Sequence, residues 1–237
     1  MPYRIDLPDA AGKGANGMID ATADRCISNT VIGITGPSGA GKSVFCSFLR
    51  DEGFAVLDCD GIYRSLTCGP SQCMDDIISV FGPSAAAADG SLDRNYISSI
   101  VFSPGSEDRL GTLNRITHGY VLKEVRSAIA SGKPGSLFAV DAPLLFQSGF
   151  DSECTCTVAV LAPYTVRLER LLSRDGDRRS EQDLRDRMNT APPDSWYIER
   201  CTWAVFNSGT AEGLRLSARG IVRDAAALSD RAEIQWI

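Results

Sequence analysis

The chain has 237 residues, 43% hydrophobic and 23% charged, which is enough for one large domain with a buried core and excludes a small disulfide-stapled protein. The sequence has 24 basic and 30 acidic residues, and the resulting net charge of -6 argues against nucleic acid or an anionic membrane as a partner. No stretch approaches the roughly 18 apolar residues of a membrane span, and no apolar signal region precedes the first element. We therefore expect a cytoplasmic protein that is a monomer or a weak homo-oligomer.

Residues 1–29 are rich in Gly, Ala and Asp and predict a flexible extension, although Tyr3 to Leu7 alternate enough for a short strand. Either Met1 or Met18 is compatible with this pattern as the start of the protein. A β-branched run from Val31 to Thr35 then predicts a buried parallel strand.

A βαβ unit follows from this first strand. A glycine-rich turn leads to helical apolar spacing between Lys42 and Glu52, and Gly53 is placed to end that helix. Residues 55–57 predict the second strand, which ends in Asp58, Cys59 and Asp60. Strand, turn, helix and strand within about thirty residues are typical of a parallel sheet.

Residues 61–133 have helical periodicity broken by turns, which predicts a helical insertion over the carboxyl edge of the sheet. Buried strands are predicted again at 137–140, 157–161 and 204–206, with helices between them. The fold class is therefore α/β, with a five-stranded parallel sheet flanked by helices and residues 30–237 forming a single domain.

The turn after the first strand carries the most specific motif of the chain. Residues 36–43, Gly-Pro-Ser-Gly-Ala-Gly-Lys-Ser, match G-x-x-x-x-G-K-[ST] between a strand and a helix, the P-loop of the P-loop NTPase fold. Its backbone N–H groups would cradle phosphate, Lys42 would reach the β- and γ-phosphates of ATP, and the Ser43 hydroxyl would bind Mg²⁺. The predicted ATP-binding residues are Gly36, Gly39, Ala40, Gly41, Lys42, Ser43 and Val44.

Three aspartates end strands at the edge where α/β sheets hold their ligands. Asp58 and Asp60 follow the second strand, and one of them is expected to orient a substrate hydroxyl or accept its proton. The alternative for Asp60 is a helix N-cap before residues 61–66. Asp141 ends the next strand with Pro143 two residues on, and we interpret it as the second Mg²⁺ ligand rather than a turn residue.

Arginines dominate the segment between residues 167 and 187. Arg167, Arg170 and Arg174 fall on one helical face, and their planar guanidinium groups suit phosphate oxygens. We select Arg170 and Arg174 as functional and interpret the other arginines, which are interspersed with acids, as a solvated salt-bridged face. The one histidine, His118, is interpreted as structural or substrate-contacting rather than as a catalytic base.

The eight cysteines include no C-x-x-C pair, and one histidine does not complete a Cys/His zinc site. We expect reduced thiols. Cys46, Cys59 and Cys201 lie in apolar runs, where cysteine behaves as a small hydrophobic residue.

From about Val31 onward the chain resembles the dephospho-CoA kinase family. After the P-loop the motifs that carry the resemblance follow in order: residues 56–60 (Val-Leu-Asp-Cys-Asp), 92–94 (Leu-Asp-Arg), 113–118 (Leu-Asn-Arg-Ile-Thr-His), 141–146 (Asp-Ala-Pro-Leu-Leu-Phe), Arg170, Arg174, Asp175 and Asn207. Their order is more specific than any one motif.

The resemblance implies transfer of the ATP γ-phosphate to the ribose 3'-hydroxyl of dephospho-CoA, so the partners are ATP and dephospho-CoA. It also implies that residues 61–133 bind the acceptor and that residues 164–190, with Arg170 and Arg174, form a lid. Asp60 would be the base beside the 3'-hydroxyl, while Asp58, Arg94 and His118 would lie on the acceptor side. Catalysis is thereby assigned to Lys42, Asp60, Arg170 and Arg174.

Several positions depart from the usual pattern of the family. Gly119 replaces a proline, Gln147 a glutamate, Ala191 a glutamine and Thr202 an aspartate, and the P-loop itself reads Gly-Pro-Ser-Gly-Ala-Gly rather than Gly-Gly-Ile-Gly-Ser-Gly. These departures mostly concern the surroundings of the acceptor and the lid. Phosphate binding is expected to be unaffected.

Three other functions are compatible with the P-loop. The P-loop sequence is also similar to that of guanylate and uridine kinases, but an enzyme of either kind is not expected to have the motif at 141–146. A nucleotide-dependent switch protein predicts an Asn-Lys-x-Asp motif, which the sequence lacks. An inert ATP-binding relative is the third alternative.

Overall fold

The computed structural model describes residues 3–4, 29–103, 105, 107–177 and 179–234. Its strands are β1 (Tyr3–Arg4), β2 (Thr30–Thr35), β3 (Ala55–Asp58), β4 (Leu137–Asp141), β5 (Cys156–Leu161) and β6 (Trp203–Phe206). Its helices are α1 (Lys42–Asp51), α2 (Cys59–Leu66), α3 (Gln72–Phe81), α4 (Arg94–Val101), α5 (Glu107–Ala130), α6 (Tyr164–Asp175), α7 (Glu181–Asn189), α8 (Asp194–Arg200) and α9 (Ala211–Ile234).

The strands form one sheet in the order β1-β6-β5-β2-β4-β3. All neighbours from β6 to β3 pair in parallel, which confirms the predicted five-stranded parallel sheet. β1 adds an antiparallel edge strand, with Tyr3 opposite Ala204 and Arg4 opposite Trp203. The rest of the predicted flexible extension, apart from Asn29, lies outside the described residues.

Helices cover both faces of the sheet because alternate strand residues point to opposite sides. On one face Ile32 and Ile34 pack with Phe45 and Leu49 of α1 and with α9. On the other face β2 and β4 pack against α5, whose Val125 is fully buried. Each such side chain contributes about 1.5–3 kcal/mol through burial, so the two layers hold the strand ends in fixed positions.

The helices α2 to α5 lie in sequence between β3 and β4 and have an apolar cluster of their own. Helical structure begins at Cys59, two residues before the predicted insertion. An isolated antiparallel bridge joins Ala86 and Leu92 within this segment. None of the described helices has both the length and the apolar character needed to cross a membrane.

The described cysteines are all free thiols, and Cys26 lies outside the described residues. Cys46 and Cys201 are buried in apolar clusters, and the half-buried Cys59 packs against another. The prediction that these three act as small hydrophobic residues is confirmed.

Candidate active site

The glycine-rich turn of residues 36–41 joins β2 to α1, and its glycines are required by its geometry. Gly36 has φ 134° and Gly41 has φ 97°, in the region that L side chains rarely adopt. A Cβ on Gly36 would lie 2.1 Å from the Val160 carbonyl oxygen, and one on Gly41 would lie 2.2 Å from Asn207 Nδ2. The turn therefore lies directly on β5 and on the residue after β6, and α1 begins at Lys42 with its N-terminus at this edge.

The Lys42 side chain folds back over this turn. Its Nζ donates to the carbonyl oxygens of Gly36 at 2.7 Å and Pro37 at 3.3 Å. Burial lowers the pKa of Lys42 below its ordinary value, and the carboxylates of Asp141 and Asp60 oppose this effect. The structure thus brings Lys42, Asp60 and Asp141 within electrostatic reach of one another.

Asp141 ends β4 directly beside Asp58, its register partner on β3. Burial raises the pKa of Asp141 to about 6; Lys42 opposes the shift, while Asp58 and Asp60 add to it. Among the described residues no hydrogen-bond partner reaches its buried Oδ1. A buried carboxylate oxygen without a partner is destabilising by itself and is suited to a hard cation.

Asp58 and Asp60 have different surroundings although both are exposed. Asp58 Oδ2 accepts from the Arg64 guanidinium at 3.3 Å and lies against Gly61. Asp60 lies in the first turn of α2, and the described residues contain no ion pair to it. The alternative of Asp60 as an N-cap is wrong, because helix α2 already begins at Cys59 and the N-cap position belongs to Asp58.

The three arginines predicted on one face of α6 do three different things. Arg167 is buried, where its Nε donates to the Ala162 carbonyl at 3.1 Å. Arg170 donates from Nη1 to the carbonyl oxygens of Gly39 and Ala40, both at 3.3 Å. Arg174 pairs with Asp175 at 2.7 Å and is largely exposed, yet its charge acts on Lys42. Arg170 therefore contacts the P-loop, Arg174 is paired with Asp175 instead, and Arg167 is structural.

Other charges of this segment form solvent-exposed pairs. Glu181 and Arg185 pair across one turn of α7. Such pairs contribute little to stability. The interpretation of a salt-bridged face is confirmed for this pair.

Arg94 and His118 lie on the helices between β3 and β4. Arg94 is the exposed first residue of α4, and its charge lowers the pKa of Tyr63 on α2 against the larger, opposite effect of burial. His118 is half-buried in α5, and burial lowers its pKa, so its imidazole is neutral at pH 7. Within the described chain neither side chain is hydrogen-bonded to Lys42, Asp60 or Asp141.

Asn207 contacts the P-loop directly, although in the sequence it is only one position of the family resemblance. It is buried directly after β6, and its Nδ2 donates to the Ala40 carbonyl at 2.8 Å. It also lines a cavity of about 330 Å³ between the end of β6 and the start of α9, with Phe206, Gly213 and Ser217. A signal was present: Asn207 follows a strand at the same edge as Asp58 and Asp141.

The residues present fit a magnesium ion. Ser43 is exposed at the N-terminus of α1, and Asp141 offers an unsatisfied oxygen at the end of the adjacent strand. Within the described ranges no group of three or more His, Cys, Asp or Glu side chains could hold a metal. P-loop sites use one hydroxyl and one carboxylate and complete the shell with phosphate oxygens and water, so this donor set is of the right kind.

One departure from the family pattern has a structural account. Thr202 and Thr157 exchange hydrogen bonds, each backbone N–H donating to the hydroxyl oxygen of the other at 3.0 to 3.1 Å. These bonds tie the start of β6 to β5. Gln147 and Gly119 are exposed.

Comparison with known proteins agrees with this geometry. Residues 30–212 match the family model for dephospho-CoA kinase. A dephospho-CoA kinase of Moorella thermoacetica is 30% identical over 192 residues, which are 80% of this chain and 89% of that protein. The Thermus thermophilus protein TT1252 superposes with a TM-score of 0.70 at 27% identity, over 83% of this chain and 98% of that one.

A dephospho-CoA kinase from Campylobacter jejuni shares the fold, with a TM-score of 0.56 at 19% identity over 83% of this chain and 96% of that one. The family match spans the P-loop, Asp60, Asp141, the arginines of α6 and Asn207. The chain therefore belongs to the dephospho-CoA kinase family.

Proposed function

We propose that this chain transfers the γ-phosphate of ATP to the ribose 3'-hydroxyl of dephospho-CoA, giving coenzyme A and ADP. The observation that carries the proposal is the meeting of Lys42, Asp60 and Asp141 beside a P-loop at the carboxyl edge of the sheet. Membership of the dephospho-CoA kinase family supports the choice of acceptor.

The phosphates of ATP would bind where the P-loop amides converge with the N-terminus of α1. Lys42 would exchange its bonds to the Gly36 and Pro37 carbonyls for bonds to the β- and γ-phosphates. Phosphoryl transfer depends mainly on positioning and on stabilising charge, and a buried ammonium bonded to two carbonyl oxygens, within electrostatic reach of two carboxylates, supplies both.

Ser43 and Asp141 would hold Mg²⁺, as the unpartnered Oδ1 of Asp141 supports. When bound, the ion neutralises negative charge on the β- and γ-phosphate oxygens. Asp141 would be ionised in that complex, because a cation beside a carboxyl favours its charged form.

Asp60 would accept the proton of the 3'-hydroxyl. The oxygen of that hydroxyl forms a bond to the γ-phosphorus while the bond from the γ-phosphorus to the bridging oxygen breaks, and ADP leaves. The exposure of Asp60 and its freedom from ion pairs among the described residues support this choice over Asp58, which Arg64 holds. Asp58, Arg94 and the neutral His118 would contact the acceptor.

Residues 164–190 would close over ATP as a lid. Arg170 already touches the P-loop, whereas Arg174 would leave Asp175 and turn to the transferring phosphate. An exposed ion pair between neighbouring residues contributes little free energy, so breaking the pair between Arg174 and Asp175 costs little. A planar guanidinium suits the charge that develops on three phosphate oxygens.

The cavity beside Asn207 would take the base of ATP. Asn207 joins it to the P-loop, and its lining offers the base the apolar side chains of Phe206 and Leu214 and the hydroxyls of Thr210 and Ser217. Cavities of this size at the edge of an α/β sheet are typical ligand sites.

An acceptor screen tests the function. Purified protein with Mg²⁺ and ATP is offered dephospho-CoA, GMP, uridine or no acceptor, and ADP release is followed by a coupled assay. We expect turnover with dephospho-CoA, and Lys42→Ala should remove it. Turnover with GMP or uridine alone would instead favour a nucleotide or nucleoside kinase, and nucleotide binding without turnover would favour a switch protein or an inert relative.

A cytoplasmic location, the absence of nucleic-acid and membrane partners, and a monomeric or weakly associating state complete the proposal. They rest on the composition and the net charge of -6. Size-exclusion chromatography with light scattering measures the association.

A further inference from the structure

Two separate elements converge on one peptide group of the P-loop. The Ala40 carbonyl accepts from Asn207 Nδ2 at 2.8 Å and from Arg170 Nη1 at 3.3 Å. Arg170 Nη2 also donates to the Asn207 carbonyl at 3.2 Å, which closes a triangle. Asn207 and Ala40 are 167 positions apart in sequence, so the triangle joins the P-loop, α6 and the end of β6.

The planarity of the peptide group gives this triangle a consequence for ATP. In a trans peptide the C=O and the following N–H point in opposite directions. Fixing the Ala40 carbonyl toward Asn207 therefore fixes the Gly41 N–H away from it. Among the described residues that N–H has no acceptor, and Gly41 is one of the amides expected to bind phosphate.

We propose that Asn207 is a positioning residue for ATP: its side-chain amide holds the Ala40 peptide so that the Gly41 N–H is aimed at phosphate before the nucleotide arrives. This role rests on the proposed function. Asn207 itself need not touch phosphate, and Arg170 supports it from the lid side.

The shape of the site requires a donor at Asn207, not merely a side chain of its size. Asn207 is only 8% exposed, and its amide lies so close to Gly41 that a Cβ there would be 2.2 Å from Nδ2. An aspartate has the same shape but presents a carboxylate oxygen to the Ala40 carbonyl. Two acceptors facing each other repel, so this peptide would be free to rotate.

The chain offers a matched control at Asn29. Its Nδ2 donates to the Ile129 carbonyl at 3.0 Å, and its Oδ1 accepts from the Ser136 N–H at 3.0 Å, at the opposite end of β2. Asn29→Asp removes the same kind of amide-to-carbonyl bond far from the P-loop. It separates loss of stability from loss of P-loop position.

The test measures binding of the β,γ-imido analogue of ATP by calorimetry, with Mg²⁺, for wild type, Asn207→Asp, Asn207→Ala and Asn29→Asp. We expect the Kd to rise about tenfold or more for both Asn207 variants, since the buried Ala40 carbonyl loses its shorter hydrogen bond and the peptide that binds phosphate loses its fixed position. In steady-state assays the KM for ATP should rise, and the KM for dephospho-CoA should not. Asn29→Asp should lower Tm and leave the Kd unchanged.

The proposal is overturned if both Asn207 variants are folded and bind the analogue within about twofold of wild type, or if Asn29→Asp weakens binding equally. Asn207→Ala keeps the test decisive if the buried charge of the aspartate prevents folding. Failure of wild type to phosphorylate dephospho-CoA would count against the proposed function alone, because the binding measurement needs no acceptor.

Discussion

Asp58 and Asp141 lie opposite each other as register partners on the parallel strands β3 and β4, at the edge of the sheet that carries the P-loop. The pairing places one exposed and one largely buried carboxyl side by side, and Asp60 follows Asp58 by two residues, in the first turn of α2. The positive charge of Lys42 partly offsets the repulsion among these carboxylates, since it opposes the rise in the pKa of Asp141. The site therefore stores unfavourable electrostatic energy when no ligand is bound.

Asp141→Asn should stabilise the protein and inactivate it. The pKa of Asp141 is raised from its ordinary 3.8 to about 6, so above pH 6 the folded chain bears a charge that the unfolded chain holds more easily. We expect the free energy of unfolding at pH 7.5 to rise by about 1–3 kcal/mol while kcat falls at least about 100-fold. Urea titration and the ADP assay measure the two effects.

The raised pKa of Asp141 predicts that its contribution to stability falls as the pH rises. Between pH 3.8 and about 6 the folded chain binds more protons at Asp141 than the unfolded chain, so its contribution to stability is full below pH 3.8 and is lost as the pH rises to 6. The difference in unfolding free energy between Asp141→Asn and wild type should therefore grow across this window. A difference that is constant from pH 4 to 7 would contradict the raised pKa.

Lys42→Ala should abolish turnover with little effect on Tm. The buried ammonium of Lys42 is bonded to the carbonyl oxygens of Gly36 and Pro37, so its loss relieves desolvation while removing charge stabilisation of the transition state. We expect kcat to fall on the order of 100- to 1,000-fold. Lys133→Ala, at an exposed lysine in the loop before β4, is the control and should retain wild-type activity. Near-normal kcat in Lys42→Ala would refute the assignment of the P-loop.

Asp60→Asn should reduce kcat while leaving the fold intact. Asp60 is an exposed acid in the first turn of α2, as Asp75 is in α3, so removing either charge weakens a helix by about 0.3–1 kcal/mol. Only Asp60 faces Lys42 and Asp141. We expect a loss of about 100-fold or more in kcat for Asp60→Asn and none for Asp75→Asn. Equal activity of the two variants would assign Asp60 a purely helical role.

Gly213→Leu should weaken ATP binding while making α9 more stable. Gly213 lines the cavity beside Asn207, so a leucine there would occupy the space proposed for the base. Replacing a helical glycine should itself stabilise by about 0.5–1 kcal/mol. Gly220→Leu, one helical heptad further along α9 where a Cβ meets nothing within 4 Å, is the control. A rise in the KM for ATP confined to Gly213→Leu supports the base site, and equal KM values contradict it.

The parallel strands are predictable to within one residue because their β-branched and apolar runs are short, and β2, β3 and β4 also end at an aspartate or directly before a glycine. The sequence predicts β2 at 31–35, and the strand spans Thr30–Thr35; it also predicts that β4 ends at Asp141, as the structure confirms. Local pattern suffices for such elements, since a buried strand needs apolar residues on both faces. The start of α2 was placed too late because Asp60 has the same preference for an N-cap as Asp58.

Contacts across long sequence distances could not be predicted from local pattern. The periodicity of α6 places Arg167, Arg170 and Arg174 on one face, but only the packing of α6 on the P-loop separates the buried Arg167 from Arg170 at the Ala40 carbonyl. The bond from Asn207 to Ala40 also depends on the tertiary fold. Because β5 lies between β6 and β2, the residue after β6 comes close to the turn after β2.

The short pairing of β1 with β6 has a consequence for the choice of start codon. A chain translated from Met18 would lack Tyr3 and Arg4, and the backbone N–H and C=O groups on the outer side of β6 would lose the partners that β1 gives them. Exposed strand edges invite pairing with other extended chains. The longer product would therefore have Trp203 and Ala204 of β6 covered by β1, and the shorter one would expose them and be more prone to self-association.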